Sequence, residues 1–300
     1  MTGAVRGSIK QRSVAVREEG SMWSQRGTGR VRLKSCARVS VVWCAAAALC
    51  VAMGPRASAD SSTTLPACSV YAGAFGLSSK GIAGPTFDDF STPNSSFWCN
   101  ADEGAAQLTF GHGLTLAIRP NLPLVHHNAE VIQIPRIVPG TTFAVRVDGA
   151  QLADAFGSRG WGMWNRDLDS PPTSEIAWFM YQRSDVPGLT AAGPTGFFVL
   201  AQGAGNPIPA IKYLPTSLLN GTHTYSVTLG TDAVTFGVDG NTVAKFTGRA
   251  YVPAGTAGPV VSQIWIDSNF YTYTFLPIGQ VTDVPATAHI EWFKEGLPAS

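Results

Sequence analysis

From about residue 105 onward, apolar and polar side chains alternate with a period of two, in segments bounded by Gly, Pro, Asn or Asp. A strand sends successive side chains to opposite faces, so each segment reads as a half-buried β-strand. Leu108 and Phe110, then Leu114, Leu116 and Ile118, flank Gly111-His112-Gly113 and predict a hairpin. Segments 131–134 and 143–147 are parted by a turn at Pro139-Gly140. Within 223–229, Tyr225, Val227 and Leu229 face one way, and Thr224, Ser226 and Thr228 the other. Val234, Phe236 and Val238 lead into Asp239-Gly240, the strongest short hairpin signal in the chain, and 242–246 returns. Further strands are predicted at 160–166, 175–183, 195–201, 260–267 and 289–294, with one helical turn at 217–220. No internal repeat is visible. Many short strands with tight turns predict an all-β fold, two antiparallel sheets packed as a jelly-roll β-sandwich.

The N-terminal part follows a different pattern. Arg26, Arg30, Arg32, Lys34 and Arg38 have no acidic residue among them, and an apolar run over 39–53 leads to Ala57-Ser58-Ala59. A basic stretch, a short apolar run and an A-x-A site predict a secretory signal with cleavage after Ala59. The run is short of the roughly 20 residues that a membrane span needs. The expected organisation is a signal peptide with an N-terminal extension over 1–59 and a single β-sandwich domain over 60–300. The product is expected outside the cell or in its envelope, with no stable membrane span after cleavage.

This division changes the charge. The whole chain carries 21 Lys and Arg against 20 Asp and Glu. Ten of the basic but only two of the acidic residues fall within 1–59, which leaves 11 basic and 18 acidic side chains, a net charge near −7. No basic cluster survives in 60–300, and such a field repels a polyanion, so nucleic acid is excluded as a partner. Cys36, Cys44 and Cys50 leave with the signal; Cys68 and Cys99 remain, and an even pair in an exported chain predicts a disulfide. Neither cysteine has a histidine at zinc-ligand spacing.

The stretch 223–246 (HTYSVTLGTDAVTFGVDGNTVAKF) resembles a hairpin of the concanavalin A-like lectins and glucanases. Gly160-Trp161-Gly162-Met163-Trp164-Asn165 and Ala177-Trp178-Phe179-Met180-Tyr181 resemble the paired strands that line the cleft of that superfamily. Trp265-Ile266-Asp267-Ser268-Asn269 and a closing strand over 289–294 fit the same layout. The resemblance implies a concanavalin A-like jelly roll over most of 60–300. Family-16 glycoside hydrolases look closest, and they carry E-x-D-x-E or E-x-D-x-x-E on one cleft strand. Two carboxylates flanking the scissile bond are what their retaining mechanism requires. Here Glu175 falls on the nucleophile position, Ala177 replaces the Asp, and Phe179 or Met180 stands at the acid/base position. Neither can donate a proton, so the resemblance implies the fold and argues against that mechanism. A fainter likeness to alginate lyases at Gln263-Ile264-Trp265 lacks the catalytic His.

Alternation places Glu175, Ala177, Phe179, Tyr181 and Arg183 on one face of their strand and Ile176, Trp178 and Met180 on the other, the expected core side. Gln263, Trp265, Asp267 and Asn269 lie opposite Ile264 and Ile266, and Trp164 and Arg166 opposite Trp161 and Met163. If these faces adjoin, Trp164, Tyr181 and Trp265 form aromatic platforms rimmed by Arg166, Glu175, Arg183, Gln263, Asp267 and Asn269. Sugars stack their C–H faces on such rings while carboxylates and amides take the hydroxyls. The expected partner is a neutral or weakly charged polysaccharide. His126-His127 reads as a solvated loop pair that does not chelate. No cofactor is expected, with Asp167 and Asp169 as candidate ligands of a structural calcium. The resulting expectation is carbohydrate binding without hydrolysis. A glycoside hydrolase or lyase with a non-standard pair, Glu175 with Asp267 or Asp169, is the alternative, and a surface interaction protein with a vestigial cleft the third.

Overall fold

The alternating segments assemble into two antiparallel sheets in a computed structural model, which describes residues 65–68, 84–119, 126–149, 157–165, 174–184, 193–256, 258–272, 277–278 and 285–296. In chain order the strands are β1 (Thr86–Asp88), β2 (Trp98–Asn100), β3 (Ala106–Gly111), β4 (Gly113–Ile118), β5 (Asn128–Gln133) and β6 (Thr142–Asp148). Then come β7 (Gly157–Trp164), β8 (Ile176–Arg183), β9 (Gly196–Gln202), β10 (Ala210–Tyr213), β11 (Thr222–Leu229) and β12 (Ala233–Val238). The last are β13 (Asn241–Thr247), β14 (Val261–Asp267), β15 (Phe270–Tyr271), β16 (Pro277–Ile278) and β17 (Ala286–Gly296). One sheet has the order β13-β12-β11-β6-β17-β4-β3, with β1 added on β17. The other runs β10-β9-β8-β7-β14-β5-β2, and β15 pairs with β16 separately. This is the two-sheet jelly roll that the alternation and the resemblance both imply.

The apolar half of each alternation meets between the sheets. Phe143, Val145 and Val147 of β6 and Tyr225, Val227 and Leu229 of β11 face Trp161 and Met163 of β7 and Ala177, Phe179 and Tyr181 of β8. Rings dominate the contact: Trp161 and Phe179 lie 4.6 and 5.2 Å from Tyr225, and Phe179 meets Phe236 edge-on at 5.3 Å. Burying each such side chain contributes about 1.5–3 kcal/mol. Asp239 and Gly240 take φ of 49° and 79°, the left-handed pair that a two-residue hairpin turn demands.

One polar group bridges the sheets inside this layer. Glu295 of β17 accepts hydrogen bonds from Gln133 Nε2 of β5 at 3.1 Å and from Ser262 Oγ of β14 at 3.2 Å. Burial pushes its carboxyl up to about 7, against those two donors. At the β2 edge, Cys68 and Cys99 form a disulfide with Cα atoms 5.0 Å apart. Strands β1, β2 and β10 are too short to show a period and were not predicted. The turn at 217–220 corresponds to a 3₁₀ turn, Thr216–Leu219.

Candidate functional site

The second face of the seven-stranded sheet, turned away from the core between the sheets, gathers the aromatic and acidic residues. Register aligns them in rows across the strands. One row is Glu130, Trp265, Gly160, Met180, Phe198 and Tyr213, taken from β5, β14, β7, β8, β9 and β10. The next is Ile132, Gln263, Gly162, Trp178, Leu200 and Ile211. A third begins Asn128, Asp267, Ser158, Gln182.

Two glycines make the floor. A Cβ on Gly160 would stand 2.6 Å from Trp265 Cη2, and one on Gly162 would stand 2.9 Å from Trp178 Cα. With neither present, Trp178 and Trp265 come together over β7 at 4.7 Å, and Trp164 meets Trp178 edge-on at 5.8 Å. The Gly-Trp-Gly-Met-Trp pattern of β7 therefore puts Trp161 into the core and clears the other face for its neighbours' rings.

A hydrogen-bond chain fixes the polar members. With its amide oriented to suit its neighbours, Gln263 accepts from Trp178 Nε1 at 2.7 Å and donates to Glu130 Oε1 at 2.7 Å. Asn128 Nδ2 donates to Glu130 Oε2 at 3.0 Å. Asp267 accepts from Ser158 Oγ at 2.9 Å and from Tyr271 OH at 3.2 Å, while Trp265 Nε1 donates to Ser158 Oγ at 3.2 Å. Burial raises the Asp267 carboxyl to about 6, opposed by the nearby His126 and by these hydrogen bonds. Burial, reinforced by the charge of Asp267, holds the Tyr271 hydroxyl well above its usual value. The Tyr271 backbone is clasped by Gln182, which accepts from its N–H at 2.7 Å and donates to its carbonyl at 2.9 Å. Glu130 and Asp267 are diagonal neighbours on adjacent strands, a placement that separates side-chain origins by about 7–8 Å.

The predicted site residues divide between the faces. Gln263, Trp265 and Asp267 lie together as expected, and Trp164, half-buried, adjoins them through Trp178. Asn269 stands beyond the end of β14 and meets Asp267 through its backbone N–H. Arg166, like Asp167 and Asp169, lies outside the described residues. The face assignment of β8 is corrected. Tyr181 points into the core between the sheets with the Arg159 guanidinium 5.3 Å from its ring centroid, and Ala177 and Phe179 join it. Ile176, Trp178 and Met180, expected in the core, occupy the aromatic–acidic face instead. Arg183 ends β8 on the same side as Tyr181, paired with Gly157. Glu175, just before β8, is buried under the turn that leads to β14: its Oε1 accepts from Ala254 N, Thr256 N and Thr256 Oγ1 at 3.0, 3.2 and 3.1 Å. It is a structural anchor, placed away from Asp267. His127 is likewise buried and not solvated, its Nδ1 accepting from Ala105 N at 2.8 Å, while His126 turns to Glu103.

Glu130, Asn128, Trp178 and Tyr213 were missed by the sequence reading. Only the pairing of β5 with β14 brings the first two to Asp267. Tyr213 ends a short edge strand and is 53% exposed, whereas Trp178 and Trp265 keep 1% and 4%. Its ring is held edge-on by Phe198 at 5.7 Å. Among the described residues no three His, Cys, Asp or Glu side chains assemble as a metal site, and no helix is long and apolar enough to cross a membrane.

No protein-family model and no curated protein sequence matches the chain. Solved structures do match its fold. A prokaryotic β-1,3-1,4-glucanase (lichenase) derived from a mouse hindgut metagenome aligns with 72% of this chain and 100% of its own, at 17% identity and a TM-score of 0.50. A native glycosidic hydrolase aligns with 73% and 98%, at 16% identity and a TM-score of 0.51. The jelly roll is thus one that glucanases share, and at such identity the likeness speaks for the fold alone.

Proposed function

We propose that this chain is an exported carbohydrate-binding protein that holds a neutral or weakly charged glycan on the second face of its seven-stranded sheet and does not hydrolyse it. The observation that carries the reading is the row from buried Glu130, past Trp265, to the exposed ring of Tyr213. Tyr213 offers a preoriented surface for a pyranose ring at one edge of the sheet, and the acids Glu130 and Asp267 lie on the same face, five and four strands away. The absence of hydrolysis rests on β8, whose residues on this face are Ile176, Trp178 and Met180, with Gln182 in the row of Asp267. Glu175, at the family's nucleophile position, is bonded to the 254–256 turn.

Glu130 and Asp267 favour a second reading. Both are buried acids of this face on adjacent strands, and a pair of carboxyl groups is what glycoside hydrolysis requires. A carboxyl raised to about 6 is a general acid near neutral pH. The deciding experiment combines polysaccharide pull-down and a glycan array with a reducing-sugar assay, on wild type, Trp265→Ala and Tyr213→Ala. Binding weakened in the variants without turnover supports the binding protein. Turnover abolished by Glu130→Gln or Asp267→Asn replaces it with the hydrolase. Export predicts that protein recovered outside the producing cell begins at Asp60, which N-terminal sequencing checks.

A further inference from the structure

The opposite side of the sandwich carries an aromatic pair that the site above does not use. In β17 the register with β6 shifts between Ile290 and Trp292, so that Glu291 is an extra residue. A bulge of this kind re-aims the side chains around it. Beyond it Trp292 pairs with Arg146, on the outer face of the eight-stranded sheet. Phe87 of β1 pairs with Lys294, two residues further along that face. Phe87 and Trp292 are therefore diagonal neighbours, with ring centroids 6.2 Å apart and planes at 37°. Phe87 is 63% exposed although it rests on Trp292. Arg146 Nε donates to Glu291 Oε2 at 2.7 Å beside the indole, both side chains open to solvent, and Lys294 is exposed next to Phe87.

We propose that Phe87 and Trp292 form a second saccharide platform, on the face opposite the first. Two adjoining rings, Phe87 exposed and Trp292 half-buried, give a surface for pyranose C–H faces within a polar rim. The rim favours a glycan. Arg146 and Glu291 neutralise each other while keeping donors and acceptors for hydroxyls, and Lys294 adds a single charge. Neither a polyanion nor a strongly basic partner finds a complementary field there, whereas a neutral glycan chain, held by ring stacking and hydroxyl hydrogen bonds, needs none. The proposal shares the ligand class of the first site but none of its residues. Platforms on opposite sheets would let one molecule engage two glycan chains, gaining avidity on an insoluble polysaccharide.

The test is binding of wild type, Phe87→Ala, Trp292→Ala, Tyr213→Ala and the Phe87→Ala/Tyr213→Ala double variant to insoluble β-1,3-glucan, cellulose and soluble β-1,3-1,4-glucan. Melting temperatures are recorded alongside. Phe87, being mostly exposed, can lose its ring without unfolding the sandwich. The expected result is about a tenfold loss of affinity for Phe87→Ala at an unchanged melting temperature, and a larger loss for the double variant than for either single one. Wild-type affinity in both Phe87→Ala and Trp292→Ala overturns the second platform and leaves the first standing if Tyr213→Ala is impaired. Failure of wild type to bind any of the three overturns both.

Discussion

Glu295 and Asp267 are carboxyls whose environment works against their charge. In the folded protein Glu295 keeps its proton up to about 7, whereas unfolded it releases it near 4.5; for Asp267 the values are about 6 and 3.8. Between each pair of values the unfolded chain binds fewer protons than the folded one, so these groups lower stability as pH rises through 4–7 and add no further change above it. Glu295→Gln is therefore expected to flatten that decline and to stabilise the protein at pH 8 by about 1–3 kcal/mol. Urea unfolding at pH 4.5 and 8 measures it, and an unchanged midpoint at pH 8 contradicts it. Gly160→Ala tests the aromatic floor. The new methyl collides with Trp265, so a loss of about 2–3 kcal/mol is expected together with a shifted tryptophan emission. Residue pattern alone placed Gln263, Trp265 and Asp267 on one face because their strand has an apolar opposite face in Ile264 and Ile266. It inverted β8, since Ile176, Trp178 and Met180 alternate with Ala177, Phe179 and Tyr181, and both sets are apolar. Alternation cannot orient a strand that is buried on both sides.

At the scale of elements, strands with one wet face were legible and their neighbours were not. The β3–β4 and β12–β13 hairpins followed from alternation and turn chemistry, whereas β10, which presents Tyr213, has four residues and no discernible period. Glu175 shows how an element can claim a residue that looks catalytic. Its carboxylate gathers the backbone of the 254–256 turn before β14, so Glu175→Ala should cost about 2–3 kcal/mol in thermal unfolding while leaving glycan affinity within twofold. A large loss of binding at unchanged stability would return it to the site. The disulfide ties Cys68 to β2 across 31 residues, and Cys99→Ser should lower stability by about 3 kcal/mol, read as the shift in denaturant midpoint between wild type and variant.

For the molecule as a whole, Tyr213→Ala is expected to weaken glycan binding about tenfold, read by affinity electrophoresis, because no other ring of that row is as exposed. An effect confined to Trp265→Ala would place the contact deeper in the sheet. Alternation, turn pairs and the split of charge at residue 59 determined by themselves an all-β sandwich and an acidic 60–300 region. These are properties of local pattern and of sums, which the chain carries before it folds. The meeting of Glu130 and Asn128 with Asp267, the withdrawal of Glu175 and the exposure of Tyr213 and Phe87 were decided by tertiary structure. Each depends on which distant strands pair and in what register, and a period of two is blind to both.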